Sequence, residues 1–127
     1  MFSRKDIRGS LLYFGYKTLL TIKYNLIMTD YTGKKVIIRA DRAGVFFGTL
    51  AEHDKANGVV ELHDCRRIWY WSGAASLSQM ANEGVKNPSA CKFTQVVPSM
   101  QISGVIEVLP CSLEAAKCIE EVSVWQH

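Results

Sequence analysis

Two basic clusters and one aromatic stretch hold the residues of this chain whose types and spacing best suit chemistry. Arg39, Asp41 and Arg42 fall within RADRAG, and Arg66 and Arg67 open the string RRIWYWSGAASLSQMA at residues 66–81. A guanidinium is planar, permanently charged and able to donate two parallel N–H bonds to a phosphate or carboxylate. Trp69 and Trp71 follow the arginine pair, and an indole face can stack a base or another planar group. Ser72, Gly73 and Ser76 belong to the small-residue run after the tryptophans. Gly73 can take a positive φ at no steric cost, and free N–H groups at the start of a helix would complete an anion site. The candidate ligand-binding set is Arg39, Arg42, Arg66, Arg67, Trp69, Trp71, Ser72, Gly73 and Ser76. The matching ligand is an anionic, nucleotide-like molecule.

The same residues fit a plainer role. Asp41 and Asp64 can pair with the arginines at the surface. Large aromatics at alternating positions fill cores and oligomer interfaces, or serve as a contact surface for a protein partner. Side chains on a strand alternate between faces. Only one of Arg66 and Arg67 can therefore face a given pocket, and Trp69 should share a face with Trp71, opposite Ile68 and Tyr70. Arginines and tryptophans converging on a concave pocket would favour a ligand site. The same groups lying apart would favour protein contact.

Nothing in the chain points to catalysis. GxSxG, GxGxxG, a P-loop and HExxH are all absent, and the carboxylates form no evident acid–base pair. His53, His63 and His127 have no metal-ligand spacing with one another or with Cys65, Cys91, Cys111 and Cys118. No two cysteines form CxxC, so buried reduced thiols are expected rather than a zinc or redox site. Neither a metal nor a cofactor is expected.

The elements that must position the candidate residues can be read in order. Val36-Ile37-Ile38 is a first strand, Ala43-Gly44 a turn, and residues 45–50 a second strand. Asn57-Gly58 suits a type I′ hairpin turn, which needs positive φ at both central residues. It leads into Val59-Val60-Glu61-Leu62-His63, and Asp64-Cys65 is a bend or bulge before the strand at residues 66–71. A helix is expected over residues 76–84, with Leu77, Met80 and Ala81 on one face and Gly84 as its stop. Residues 91–97 and 101–109 read as two further strands, with Gly104 marking a bulge. Ser112 caps a helix over residues 113–121, and residues 122–125 close as an edge strand. The predicted fold is α+β, a mainly antiparallel, curled sheet with one short helix after the aromatic strand and a short C-terminal helix.

The length of 127 residues suits one domain that can bury a core without disulfides. Charge is uneven along it: residues 1–27 carry five Lys/Arg and one Asp, whereas ten Lys/Arg and eleven Asp/Glu follow. The near-neutral body gives no electrostatic case for nucleic-acid binding. Three readings fit residues 1–27. They could be a signal peptide, although Lys17 interrupts the apolar run and no small-x-small cleavage site follows. They could be an amphipathic membrane-surface helix. Or the authentic start could be Met28, leaving a single α+β domain at residues 28–127. The run falls short of the roughly 20 apolar residues that a transmembrane helix needs. The extension is expected to be dispensable. Phe46, Phe47, Trp69, Tyr70, Trp71 and Trp125 are more large aromatics than a small sheet readily buries, so a homo-oligomer is expected.

The strings KKVIIRADRAGVFFGTL, RRIWYWSGAASLSQ, EGVKNPSACKF and GVIEVLPCSLEAA, with the closing VWQ, resemble a small family of uncharacterised proteins from tailed phages and prophages. The resemblance covers most of residues 28–126 and leaves residues 1–27 outside. It implies a phage origin and a host-cytoplasmic setting, and it supplies no catalytic residues. The partner it leaves open is a nucleotide-like anion or a host or phage protein.

Overall fold

The computed structural model describes residues 29–126. The expected extension and its three readings lie outside the described residues. Among those described, no helix is long and apolar enough to cross a membrane.

Nine elements follow one another among the described residues: β1 (Lys35–Ala40), β2 (Gly44–Asp54), β3 (Val59–Tyr70), α1 (Leu77–Glu83), a 3-10 turn (Pro88–Ala90), β4 (Lys92–Phe93), β5 (Val97–Ile102), β6 (Val105–Pro110) and α2 (Leu113–Glu121). They fall within one unit, Tyr31–His127. The sheet is antiparallel, with β6 beside β1, then β2, then β3. The far edge of β3 is shared, because β5 pairs with residues 60–65 and β4 with residues 68–70. The fold is α+β with a curled, unclosed six-stranded sheet, as the sequence predicts.

The curl has a simple cause. β5 lies at one edge of the sheet and β6 at the other, yet only Ser103 and Gly104 separate them. Two extended residues reach only about 7 Å, so the edges must bend toward each other. Gly104 makes the corner at φ 71°, its carbonyl accepting from the Asp41 N–H at 2.8 Å. The Val105 N–H donates to the Gly58 carbonyl at 3.0 Å. The expected long strand at residues 101–109 is thus two strands on opposite edges, and Gly104 is a turn rather than a bulge.

Two cores result, one on each face. Val36, Ile38, Phe46, Leu50, Val60, Leu62, Cys65 and Ile102 fill the inside of the curl. On the other face, Ile37, Phe47, Ile68 and Phe93 pack against Met80 and Ala81 of α1 and Ala116 and Ile119 of α2. A fully buried side chain of this size contributes about 1.5–3 kcal/mol, so either layer outweighs any single turn or cap.

The helices end where their caps dictate. Ser76 Oγ accepts from the Gln79 N–H and Ser112 Oγ from the Ala115 N–H. Gly84 stops α1 at φ 78°. The β2–β3 connection differs from the expected two-residue turn. Asp54 is the last residue of β2, and its carboxylate accepts from the Asn57 backbone N–H at 3.2 Å and from Asn57 Nδ2 at 2.8 Å. The loop therefore spans residues 55–58, with Gly58 alone at positive φ. β3 is a single strand across the expected bulge, where Asp64 adopts φ 49° and the register shifts opposite Gly48. A Cβ at Gly48 would stand 2.7 Å from Cys65 Cβ, so the bulge seats one strand tightly on the other. The expected strands at 91–97 and 122–125 reduce to β4 and to one parallel bridge between Phe93 and Val124.

Candidate functional site

Arg66 and Arg67 diverge from adjacent positions on β3, as strand alternation requires. Arg66 is 2% exposed on the helix-covered face. Its Nε donates to Thr94 O at 2.9 Å, Nη1 to Ile119 O at 3.2 Å and Val122 O at 2.8 Å, and Nη2 to Phe93 O at 3.3 Å. The guanidinium also lies 5.5 Å from the Phe93 ring centroid. Four carbonyls occupy its donors, and burial lowers its pKa from the ordinary value. It binds the end of α2 to β3, so it holds the fold rather than a ligand. The expected surface pairing with an aspartate is replaced by this carbonyl set.

Arg67 lies on the opposite face. Its Nη1 donates to Ala43 O at 3.1 Å, and its Cζ stands 4.6 Å from the centroid of Phe46, its cross-strand partner. Arg39 is exposed, with Nε donating to Glu107 at 2.8 Å across the β1–β6 pair. Arg42 is exposed in the β1–β2 turn at φ 67°. Arg66 thus lies on the opposite face from Arg67, whose guanidinium reaches the turn that carries Arg42.

The small-residue turn also closes on itself. Ser72 Oγ accepts from Asn87 Nδ2 at 3.2 Å, and the Ser72 N–H meets Cys91 Sγ at 3.4 Å. Gly73 sits at φ 91° with its carbonyl accepting from the Lys86 N–H. At the start of α1, Ser76 Oγ takes the Gln79 N–H and Gln79 Oε1 takes the Ala75 N–H at 2.8 Å. Side chains of the chain itself thus take up the Ser72, Ala75 and Gln79 N–H groups, three of the donors that an anion here would use.

Trp69 and Trp71 do not share a surface. Trp71 packs beside Ile68 on the helix-side core, and its Nε1–H donates to Ala74 O at 3.2 Å. The expected alternation fails because the β3–β4 register shifts between Ile68 and Tyr70 and β3 ends at Tyr70. Trp69 instead faces outward at 62% exposure and stacks on Trp125, with ring centroids 6.4 Å apart and planes 4° from parallel. Tyr70 is 51% exposed beside it. Lys92 Nζ stands 5.9 Å from the Tyr70 centroid and 5.5 Å from that of Trp125.

The surface that assembles is therefore Trp69, Tyr70, Lys92 and Trp125. Of these, only Trp69 belongs to the set read from the sequence. Trp125 lies far from Trp69 along the chain, and the pairing of Val124 and Trp125 with Phe93 brings it there. Lys92 carried no signal beyond its place before Phe93. Its cation over two aromatic faces, with a stacked indole pair alongside, suits an aromatic group of a partner. Among the described residues, no group of three or more His, Cys, Asp or Glu is arranged to hold a metal ion.

No curated protein matches this chain. The family profile described as a domain of unknown function (DUF6948) matches residues 33–119, which include Arg66, Trp69, Tyr70 and Lys92 and stop before Trp125. The chain belongs to that DUF6948 family.

Proposed function

We propose that this protein is a non-enzymatic binding module that engages a protein partner at the surface that Trp69, Tyr70 and Lys92 form and Trp125 covers. The observation that carries this reading is Trp69, 62% exposed yet stacked in parallel on Trp125. Tryptophan and tyrosine dominate the energetics of protein interfaces, and an exposed cluster of them is costly to keep in water without a use. The rival reading, a nucleotide-like anion held by converging arginines, has less support. Arg66 is consumed by carbonyls, Arg39 by Glu107, and Arg67 rests on Phe46 and Ala43. Nucleic acid fits less well again. A backbone-tracking groove needs a row of cations, and this surface offers Lys92. An accessory role in phage assembly or host takeover, in the host cytoplasm, is the setting that the family resemblance implies.

The test compares immobilised wild-type chain with Trp69→Ala in extracts of the cells that make the protein. A thermal-shift panel of cyclic and linear nucleotides runs alongside, with Arg67→Ala and Arg42→Ala as controls. A protein retained by the wild type and lost by Trp69→Ala is expected, with no nucleotide shifting the melting temperature. Light scattering identifies the partner as a second copy if a dimer dissociates in Trp69→Ala. A nucleotide shift abolished by Arg67→Ala or Arg42→Ala, or retention that ignores Trp69→Ala, would overturn the reading.

A further inference from the structure

We infer that residues 123–126 form a displaceable strap, an internal ligand seated where an extended peptide of the partner binds with its own aromatic side chain in place of Trp125. The inference rests on the binding role proposed for this surface and names the kind of segment that occupies it.

The strap begins at a firm anchor. Val122 is buried, its N–H reaches Ile119 O, and its carbonyl accepts from Arg66 Nη1 at 2.8 Å. Beyond it the chain changes character, and Ser123, Val124, Trp125 and Gln126 are all exposed. Val124 makes a single parallel bridge to Phe93, and the Trp125 N–H donates to Phe93 O at 2.8 Å. One bridge on a two-residue strand is a small fraction of a ladder, so the segment can leave without disturbing either core.

The seat is selective. A ring at the Trp125 position meets the Trp69 face and the Lys92 ammonium together. An aliphatic side chain there would forgo both ring stacking and cation–π attraction. Backbone pairing along β4 supplies the remaining affinity, as in other cases where an extended peptide is added to a sheet edge. The occupant that fits is thus an extended segment with one Trp, Tyr or Phe, and residues 123–126 show its pose.

The chain's own segment supplies the probe. A synthetic peptide with the sequence of residues 120–126 is titrated into full-length Trp125→Ala and into wild type, with amide and indole NMR shifts as the readout. Saturable binding to Trp125→Ala is expected, with shifts confined to Trp69, Tyr70, Lys92 and Phe93. Wild type, whose own strap competes, should bind at least tenfold more weakly, as should a peptide with Ala replacing Trp. Amide exchange in the wild type provides a second measure that needs no variant. The Trp125 N–H should exchange at least a hundredfold faster than the Phe47 N–H. Absence of saturable binding to a folded Trp125→Ala overturns the strap, as do equal binding by both proteins or both peptides and Trp125 exchange as slow as that of Phe47. An oligothymidylate that shifts the same resonances more strongly than the peptide overturns the peptide as occupant. A failed strap with Trp69-dependent partner retention intact leaves the surface standing, whereas Trp69-independent retention removes the surface itself.

Discussion

Arg66 Nη1 donates to the carbonyl oxygen of Val122 at 2.8 Å, joining the middle of β3 to the residue that ends α2. A helix C-terminus leaves carbonyls unsatisfied and carries partial negative charge, and a buried guanidinium answers both. The fork shape matters, because Nε, Nη1 and Nη2 reach Thr94, Ile119, Val122 and Phe93 at once.

Arg66→Ala should therefore destabilise the fold by about 3 kcal/mol or more, since four carbonyls lose a charged donor and each buried acceptor left unsatisfied costs about 1–3 kcal/mol. Arg66→Lys should recover only part of that loss, since an ammonium cannot span four acceptors with the same geometry. Urea denaturation of the three proteins measures it. A loss under about 1 kcal/mol for Arg66→Ala would mean that these carbonyls are readily rehydrated.

Gly73 tests the turn after the aromatic strand. A Cβ there would stand 2.5 Å from Asn87 N and 2.6 Å from Lys86 N, and the residue already sits at φ 91°. Backbone atoms cannot swing aside as a flexible side chain can. Gly73→Ala should cost about 2 kcal/mol or more from strain and displacement together. The melting temperature should fall while Gly33→Ala, at φ 89° with open space around it, falls less.

What the sequence disclosed follows from the range of the forces involved. The ends of α1 and α2 were legible because Ser76, Gly84 and Ser112 act on backbone groups within one helical turn. β1 to β3 were legible from β-branched and aromatic runs. Gly104 misled because an isolated glycine marks a bulge and a corner alike, and the choice depends on β5 joining β3 while β6 joins β1. Arg66 gave no sign of burial, since its partners are carbonyls of residues 93, 94, 119 and 122 rather than a carboxylate nearby. The Trp69–Trp125 pair was hidden for the same reason, and a register shift after Ile68 undid the expected sharing of a face by Trp69 and Trp71.

Glu61 should respond to its neighbour on β3. His63 Nε2 lies 2.8 Å from Glu61 Oε2, and this hydrogen bond, with help from Gln101 and Ser99, holds the carboxyl below its ordinary value. His63→Ala should raise the Glu61 pKa toward the usual value of about 4.3, observed by carboxyl NMR titration. The sign follows from the lowered folded-state pKa. The contribution to stability is present above the unfolded value and is lost as pH falls through the folded one. An unchanged titration in His63→Ala would assign the effect to the β5 side chains.

Cys111 carries the opposite sign at the alkaline end. Burial, followed by the nearby charge of Glu120, pushes its thiol up to about 12. The unfolded chain releases the same proton near the ordinary thiol value of about 8.5. Below that value both states hold the proton and the contribution of the thiol is fully present. As pH rises further, the unfolded state gains from ionisation while the folded state cannot, so stability is lost progressively up to about 12. Cys111→Ala should flatten the decline of melting temperature between about pH 8 and pH 10 relative to wild type, because that window opens at the ordinary thiol pKa. Iodoacetamide at about pH 8 should likewise label Cys111 far more slowly than a free thiol, since the thiolate is the nucleophile. Rapid labelling of the folded protein, with the helix-side core intact by near-ultraviolet circular dichroism, would show that Cys111 reaches solvent and that its proton is held no more tightly than in the unfolded chain.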